Sequence, residues 1–142
     1  SAGNFFAFKD QNPIQTRLRL AHQMMGTPYL WGGNSSKGND CSGFTQNIFE
    51  ASGIQLPRDA RQQALYGKEI IPDDNWSNIQ PGDLLFFGKE NRVTHVGMSL
   101  GQYDFIHHLI IYQLHVFIIT FLLFLPSIYT FHTITTNYMY IF

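Results

Sequence analysis

All nineteen charged side chains of this 142-residue chain lie at or before Asp104, and the last 38 residues carry none. At the upstream rate that tail would hold about 7. At 142 residues the chain has room for one domain with a real core and little more. The uncharged part is a separate folding problem. A net charge of −1 provides no basic surface for nucleic acid. The single cysteine, Cys41, rules out an internal disulfide. The chain opens Ser-Ala-Gly, without a basic-then-apolar leader, and reads as a mature product, an excised domain or a fragment.

Asn12-Pro13 pairs an N-cap with a first-turn proline. Ile14, Leu18, Ala21 and Met25 recur at helical spacing before Gly26, which predicts a first helix. Residues 27–39 are rich in glycine and read as loop. Asn39 or Asp40 caps a second helix, with Cys41 in its first turn, a stripe of Phe44, Ile48 and Ala51, and Gly53 as its stop. Asp59 caps a third, with Gln62 at the reciprocal capping position and Gly67 as its end. Leu84-Leu85-Phe86-Phe87, Val93 to Leu100 and Asp104 to His108 read as strands. Pivoting the last two about Gly101 sets His95 opposite His107, with Cβ atoms about 4.5–5.5 Å apart. A one-residue slip would break that pairing.

These residues can form a nucleophilic site. A helix start lowers a thiol's pKa, a neighbouring imidazole can take its proton, and a third group can hold that imidazole's tautomer. Cys41, His95 and His107 fit these roles in turn. The Cys41 N–H and the Tyr29 hydroxyl are candidate oxyanion donors. Zinc is disfavoured, because Cys41, His95 and His107 include no close-spaced ligand pair. His22 and His108 are left without an assigned role. No metal or other cofactor is expected.

From Ile14 to His107 the chain resembles the NlpC/P60 family of cell-wall cysteine peptidases. Gly26-Thr27-Pro28-Tyr29-Leu30-Trp31-Gly32-Gly33 is similar to the loop before the nucleophile. Asp40-Cys41-Ser42-Gly43-Phe44 resembles the nucleophile motif, and Leu56-Pro57-Arg58-Asp59 the approach to the next helix. Gln80-Pro81-Gly82-Asp83-Leu84, Thr94-His95-Val96-Gly97 and Phe105-Ile106-His107 resemble the segments that carry the base and the third polar residue. The resemblance implies a papain-like α+β fold, its nucleophile helix packed on a central antiparallel β-sheet left incomplete at the C-terminus. It implies a γ-D-glutamyl-diamino acid endopeptidase acting on peptidoglycan stem peptides outside the cytoplasm, in the periplasm or at the wall. It assigns Cys41 as nucleophile, His95 as base, His107 as orienting residue and Tyr29 to the oxyanion site. Asp40, Ser42 and Arg58 become substrate contacts, Asp40 through a free amino terminus. A monomer is expected. A non-catalytic wall- or membrane-associated module and a papain-like acyltransferase are the competing readings.

The domain reading is a linker at 1–12, a catalytic domain at 13–108 and an apolar tail at 109–142. The tail admits three readings. It can supply native strands, being rich in β-branched and aromatic residues. It can form a membrane helix, although 109–125 is at the short limit and lacks flanking basic residues. Favoured over both is a reading-frame or assembly fault, which would leave the tail poorly packed and aggregation-prone.

Overall fold

A computed structural model describes residues 12–35, 37–89, 92–101, 103–108, 116–120 and 137–141. The expected linker lies outside them except for Asn12, as do the tail segments 109–115 and 121–136.

Helix α1 spans Pro13–Gln23, and the Asn12 side chain caps it by accepting from the Ile14 N–H at 3.0 Å. Its packing face differs from the expected stripe. Ala21 is fully buried, with Leu18, Leu20 and Met24 packed around the core, whereas Ile14 and Met25 are exposed. Met25 lies beyond the last helical residue and so escapes the helical period. Helix α2 spans Cys41–Glu50 and is capped by Asp40. Phe44 and Ile48 are fully buried, each contributing about 1.5–3 kcal/mol of transfer free energy. Arg17 ties the two helices together, its guanidinium 4.3 Å from the Phe49 ring centroid and its Nε–H donating to Ser52 Oγ at 2.8 Å. Helix α3 is a single turn, Ala60–Gln63, capped by Asp59 and shorter than the sequence pattern predicts.

Two short strands, β1 (Asn34–Ser35) and β2 (Gly38–Asn39), pair just before α2. The main sheet holds β3 (Leu84–Lys89), β4 (Arg92–Gly101), β5 (Asp104–His108), β6 (Val116–Thr120) and β7 (Asn137–Ile141). Its order is β6-β5-β4-β3-β7, with every pair antiparallel. The backbone thus continues past residue 108 into the sheet, adding one strand at each edge. Leu84, Phe86, Val96, Met98 and Ile106 form one core with α2, and Ile79, Leu85 and Phe105 form a second. This alternation along each strand is the period-two signature of a sheet packed on both faces.

The β4–β5 register is not the expected one. His107 stands opposite Gly97, Met98 opposite Ile106, and a bulge lies between Ser99 and Gly101. The reversal runs from Gly101 to Asp104 instead of pivoting on Gly101, so the ladder slides by two residues. An even slide preserves which face each side chain takes. His95 and His107 become diagonal neighbours on the same face.

Candidate active site

Cys41 is the first residue of α2, directly after the Asp40 cap. Asp40 Oδ1 accepts from the Gly43 N–H at 2.7 Å, and Oδ2 accepts from the Gly32 N–H at 3.1 Å. These bonds fasten the Tyr29–Gly33 loop to the helix start. Gly43 permits this closeness, because a Cβ there would lie 2.2 Å from the Gly33 carbonyl oxygen. Burial raises the Cys41 thiol pKa, and the Asp40 charge adds to it. The backbone of Val96, next in sequence to His95, opposes that rise without offsetting it. The expectation of a depressed thiol pKa is therefore corrected. The cap that starts the helix also places a carboxylate beside the sulfur, against the helix dipole.

His95 Nε2 and His107 Nδ1 are hydrogen-bonded at 2.8 Å, with ring centroids 5.0 Å apart at 75°. Gly97 makes room for the diagonal bond, since a Cβ there would meet the His107 Cβ at 3.1 Å. His107 is 1% exposed. Burial lowers the His95 pKa, and His107 and His108 lower it further. Burial and then His108 lower His107. Both imidazoles are thus neutral at pH 7. Among the described residues no hydrogen bond joins the Cys41 thiol to the His95 ring. Such bonds commonly form only once substrate is seated.

Burial pushes the Tyr29 phenol up to about 12, with the charges of Cys41 and Asp40 adding to the shift. Tyr29 therefore stands near the thiol and keeps its proton, as a donor must. Arg58 grips Asp40 in a two-pronged pair, Nη1–H to Oδ1 at 2.9 Å and Nη2–H to Oδ2 at 2.8 Å. It also donates to Ser42 Oγ at 2.9 Å and to the Gly33 carbonyl at 3.0 Å. Burial pushes the Asp40 carboxyl up, but the bonds from Arg58 and the Gly43 N–H outweigh it and hold the pKa below its usual value. The structure thus joins Asp40, Ser42 and Arg58 in one knot beside Cys41.

The sequence reading assigned no role to Gln63. It is 1% exposed and donates to the carbonyls of Ser42 at 3.0 Å and Pro57 at 2.9 Å. It also accepts from Thr45 Oγ1 at 2.9 Å, which locks α3 to the first turn of α2. Its sequence signal is its place among the glutamines that follow the Asp59 cap and resemble the family's next helix. Among the described residues no group of three His, Cys, Asp or Glu is disposed to hold a metal ion. No helix among them is long and apolar enough to cross a membrane.

A family model described as "NlpC/P60 family" matches residues 26–119. Its span ends twelve residues after His107 and takes in most of β6. The chain is 46% identical over 86 residues to a gamma-D-glutamyl-L-lysine dipeptidyl-peptidase of Bacillus subtilis, a match covering 58% of this chain and 28% of that protein. It is 35% identical over 108 residues to a protein of the same name from Bacillus cereus, covering 70% and 31%. The chain therefore spans under a third of the length of either relative. Among solved structures, the NlpC/p60 domain of the peptidoglycan hydrolase SagA matches with a TM-score of 0.68 at 30% identity, covering 78% of this chain and 92% of that one.

Proposed function

Because the chain belongs to the NlpC/P60 family, we propose that it is a cysteine endopeptidase that cleaves peptidoglycan stem peptides between γ-linked D-glutamate and the following diamino acid. The observation that carries this reading is the 2.8 Å His95–His107 bond between β4 and β5, with the β4 backbone at Val96, next to His95, reaching the Cys41 thiol. The names of the two Bacillus relatives support the γ-D-glutamyl bond as target.

In this reading the resting pair is a neutral thiol and a neutral imidazole. His95 Nδ1 takes the thiol proton while Nε2–H donates to His107 Nδ1, which fixes the required tautomer. The sulfur attacks the γ-carbonyl carbon and forms an S–C bond. The Cys41 N–H and the Tyr29 hydroxyl hold the resulting oxyanion. The C–N bond then breaks, and the His95 imidazolium protonates the departing amine. Water, deprotonated by His95, cleaves the thioester and restores the thiol. Ser42 and Arg58 line the stem-peptide side. The peptide's amino terminus shares the Asp40 carboxylate with Arg58. The enzyme acts as a monomer, extracellularly, in the periplasm or at the wall.

The test is incubation with a γ-D-glutamyl stem peptide, following release of the diamino acid. Release by the parent chain and none by Cys41→Ala is the expected outcome. A folded parent that releases nothing sinks the reading, and activity retained in Cys41→Ala removes the nucleophile. His107→Ala is expected to lose less kcat than His95→Ala, because it orients the base without carrying the proton.

A further inference from the structure

His108 is 0% exposed and plays no part in the mechanism above. Strand alternation sends it to the face opposite His107, where it meets the nucleophile helix. Its ring stands edge-on to Tyr29, with centroids 5.3 Å apart at 77°. It stands edge-on to Phe44 as well, at 6.0 Å and 69°. Phe44 lies three residues after Cys41 on α2, at the spacing that shares a helix face. The backbone at Tyr29 is fixed separately. The Leu30 N–H donates to the Asn39 carbonyl at 2.9 Å, and Tyr29 forms a bridge with Asn39. These bonds fix where the tyrosine starts but leave its ring to be aimed by what it touches.

We propose that His108 is a positioning residue, a ring wedged between Phe44 and Tyr29 that sets where the Tyr29 hydroxyl stands relative to Cys41. It rests on the hydrolase reading only for what the hydroxyl is used for. Edge-to-face contacts favour defined ring geometries beyond the area they bury. That is enough to select one ring orientation out of several. The wedge also spans two elements at once, the loop bearing the donor and the helix bearing the nucleophile. Its loss is therefore felt as misplacement, to which catalytic steps are steeply sensitive.

The experiment is a double-mutant cycle of His108→Ala and Tyr29→Phe, read on kcat and KM with stem peptide. His108→Ala is expected to lower kcat on the order of tenfold to a hundredfold with KM little changed. The double variant should be no worse than Tyr29→Phe alone. His108→Phe, which keeps a ring in the wedge, should recover most of the loss. Additive losses, or no recovery with Phe, overturn the proposal. A second arm needs no hydrolysis: the rate of iodoacetamide alkylation of Cys41, the only cysteine of the chain. Tyr29→Phe and His108→Ala should slow it by the same factor without compounding. A rate unchanged in His108→Ala, whatever Tyr29→Phe does, overturns the proposal. If the parent cleaves nothing, the hydrolase reading alone fails, because this arm still reads the wedge. If His108→Ala does not fold, His108→Leu carries both arms.

Discussion

Gly97 shows how narrowly the His95–His107 pair is set at the level of single residues. Its missing side chain leaves room for the His107 Cβ, from which the ring reaches diagonally to His95. Gly97→Ala puts a carbon 3.1 Å from both the His107 Cβ and the Ile106 carbonyl oxygen, closer than neighbours in a sheet accept without moving. A loss in kcat of about tenfold or more is expected, with the thermal melt shifted by only a few degrees. Unchanged kcat would show that the diagonal bond tolerates displacement. Cys41, His95, His107 and Tyr29 were all legible as residue types in ordered motifs. The protonation state of Cys41 was not. A helix start is visible in sequence, whereas burial and the side on which the capping carboxylate lies are tertiary facts.

Elements were legible in kind and less so in length and register. Asn12, Asp40 and Asp59 cap the three helices the sequence predicts, because short polar side chains satisfy first-turn N–H groups locally. The end of α3 was missed. Past Gln63 the backbone tightens, Leu65 and Tyr66 donating to the Gln62 and Gln63 carbonyls, while the Gln63 side chain ties the turn to Ser42, Thr45 and Pro57. Gln63→Ala removes a donor from the buried Ser42 carbonyl and the half-buried Pro57 carbonyl, while the Thr45 hydroxyl keeps the Ser42 carbonyl as acceptor at 3.1 Å. The expected cost is about 2–3 kcal/mol in urea unfolding, with kcat reduced less than by Gly97→Ala. A cost below about 0.5 kcal/mol would mean water replaces the amide. The β4–β5 slide escaped the sequence reading because side-chain alternation fixes parity alone, while the bulge between Ser99 and Gly101 decides the offset.

For the molecule as a whole, a half-buried and a buried neutral histidine, His95 and His107, link the site to acid stability. His95 and His107 both titrate below the ordinary histidine value in the folded state, His107 at about 4. Between pH 6.5 and those values the unfolded chain binds protons that the folded chain refuses. Stability is therefore complete above 6.5 and falls as pH drops through that window, each group contributing up to about 1.4 kcal/mol per pH unit. Urea midpoints should fall from pH 7 to pH 5, and His107→Asn should flatten the slope. Activity should fail in acid because the fold is lost, not because His95 gains its proton. A drop in kcat/KM with an apparent pKa near 6.5 and unchanged circular dichroism would refute this. The β4–β5 bulge has a consequence over evolutionary time. Residues gained or lost in the connecting turn in even numbers leave both imidazoles on one side of the sheet. Odd changes separate them when they slip the ladder by one residue, and leave them together when the turn or a bulge absorbs the extra residue. Selection on the two histidines is then also selection on the register of the chain between them, and odd insertions there should survive in lineages only where the turn lengthens or a bulge compensates.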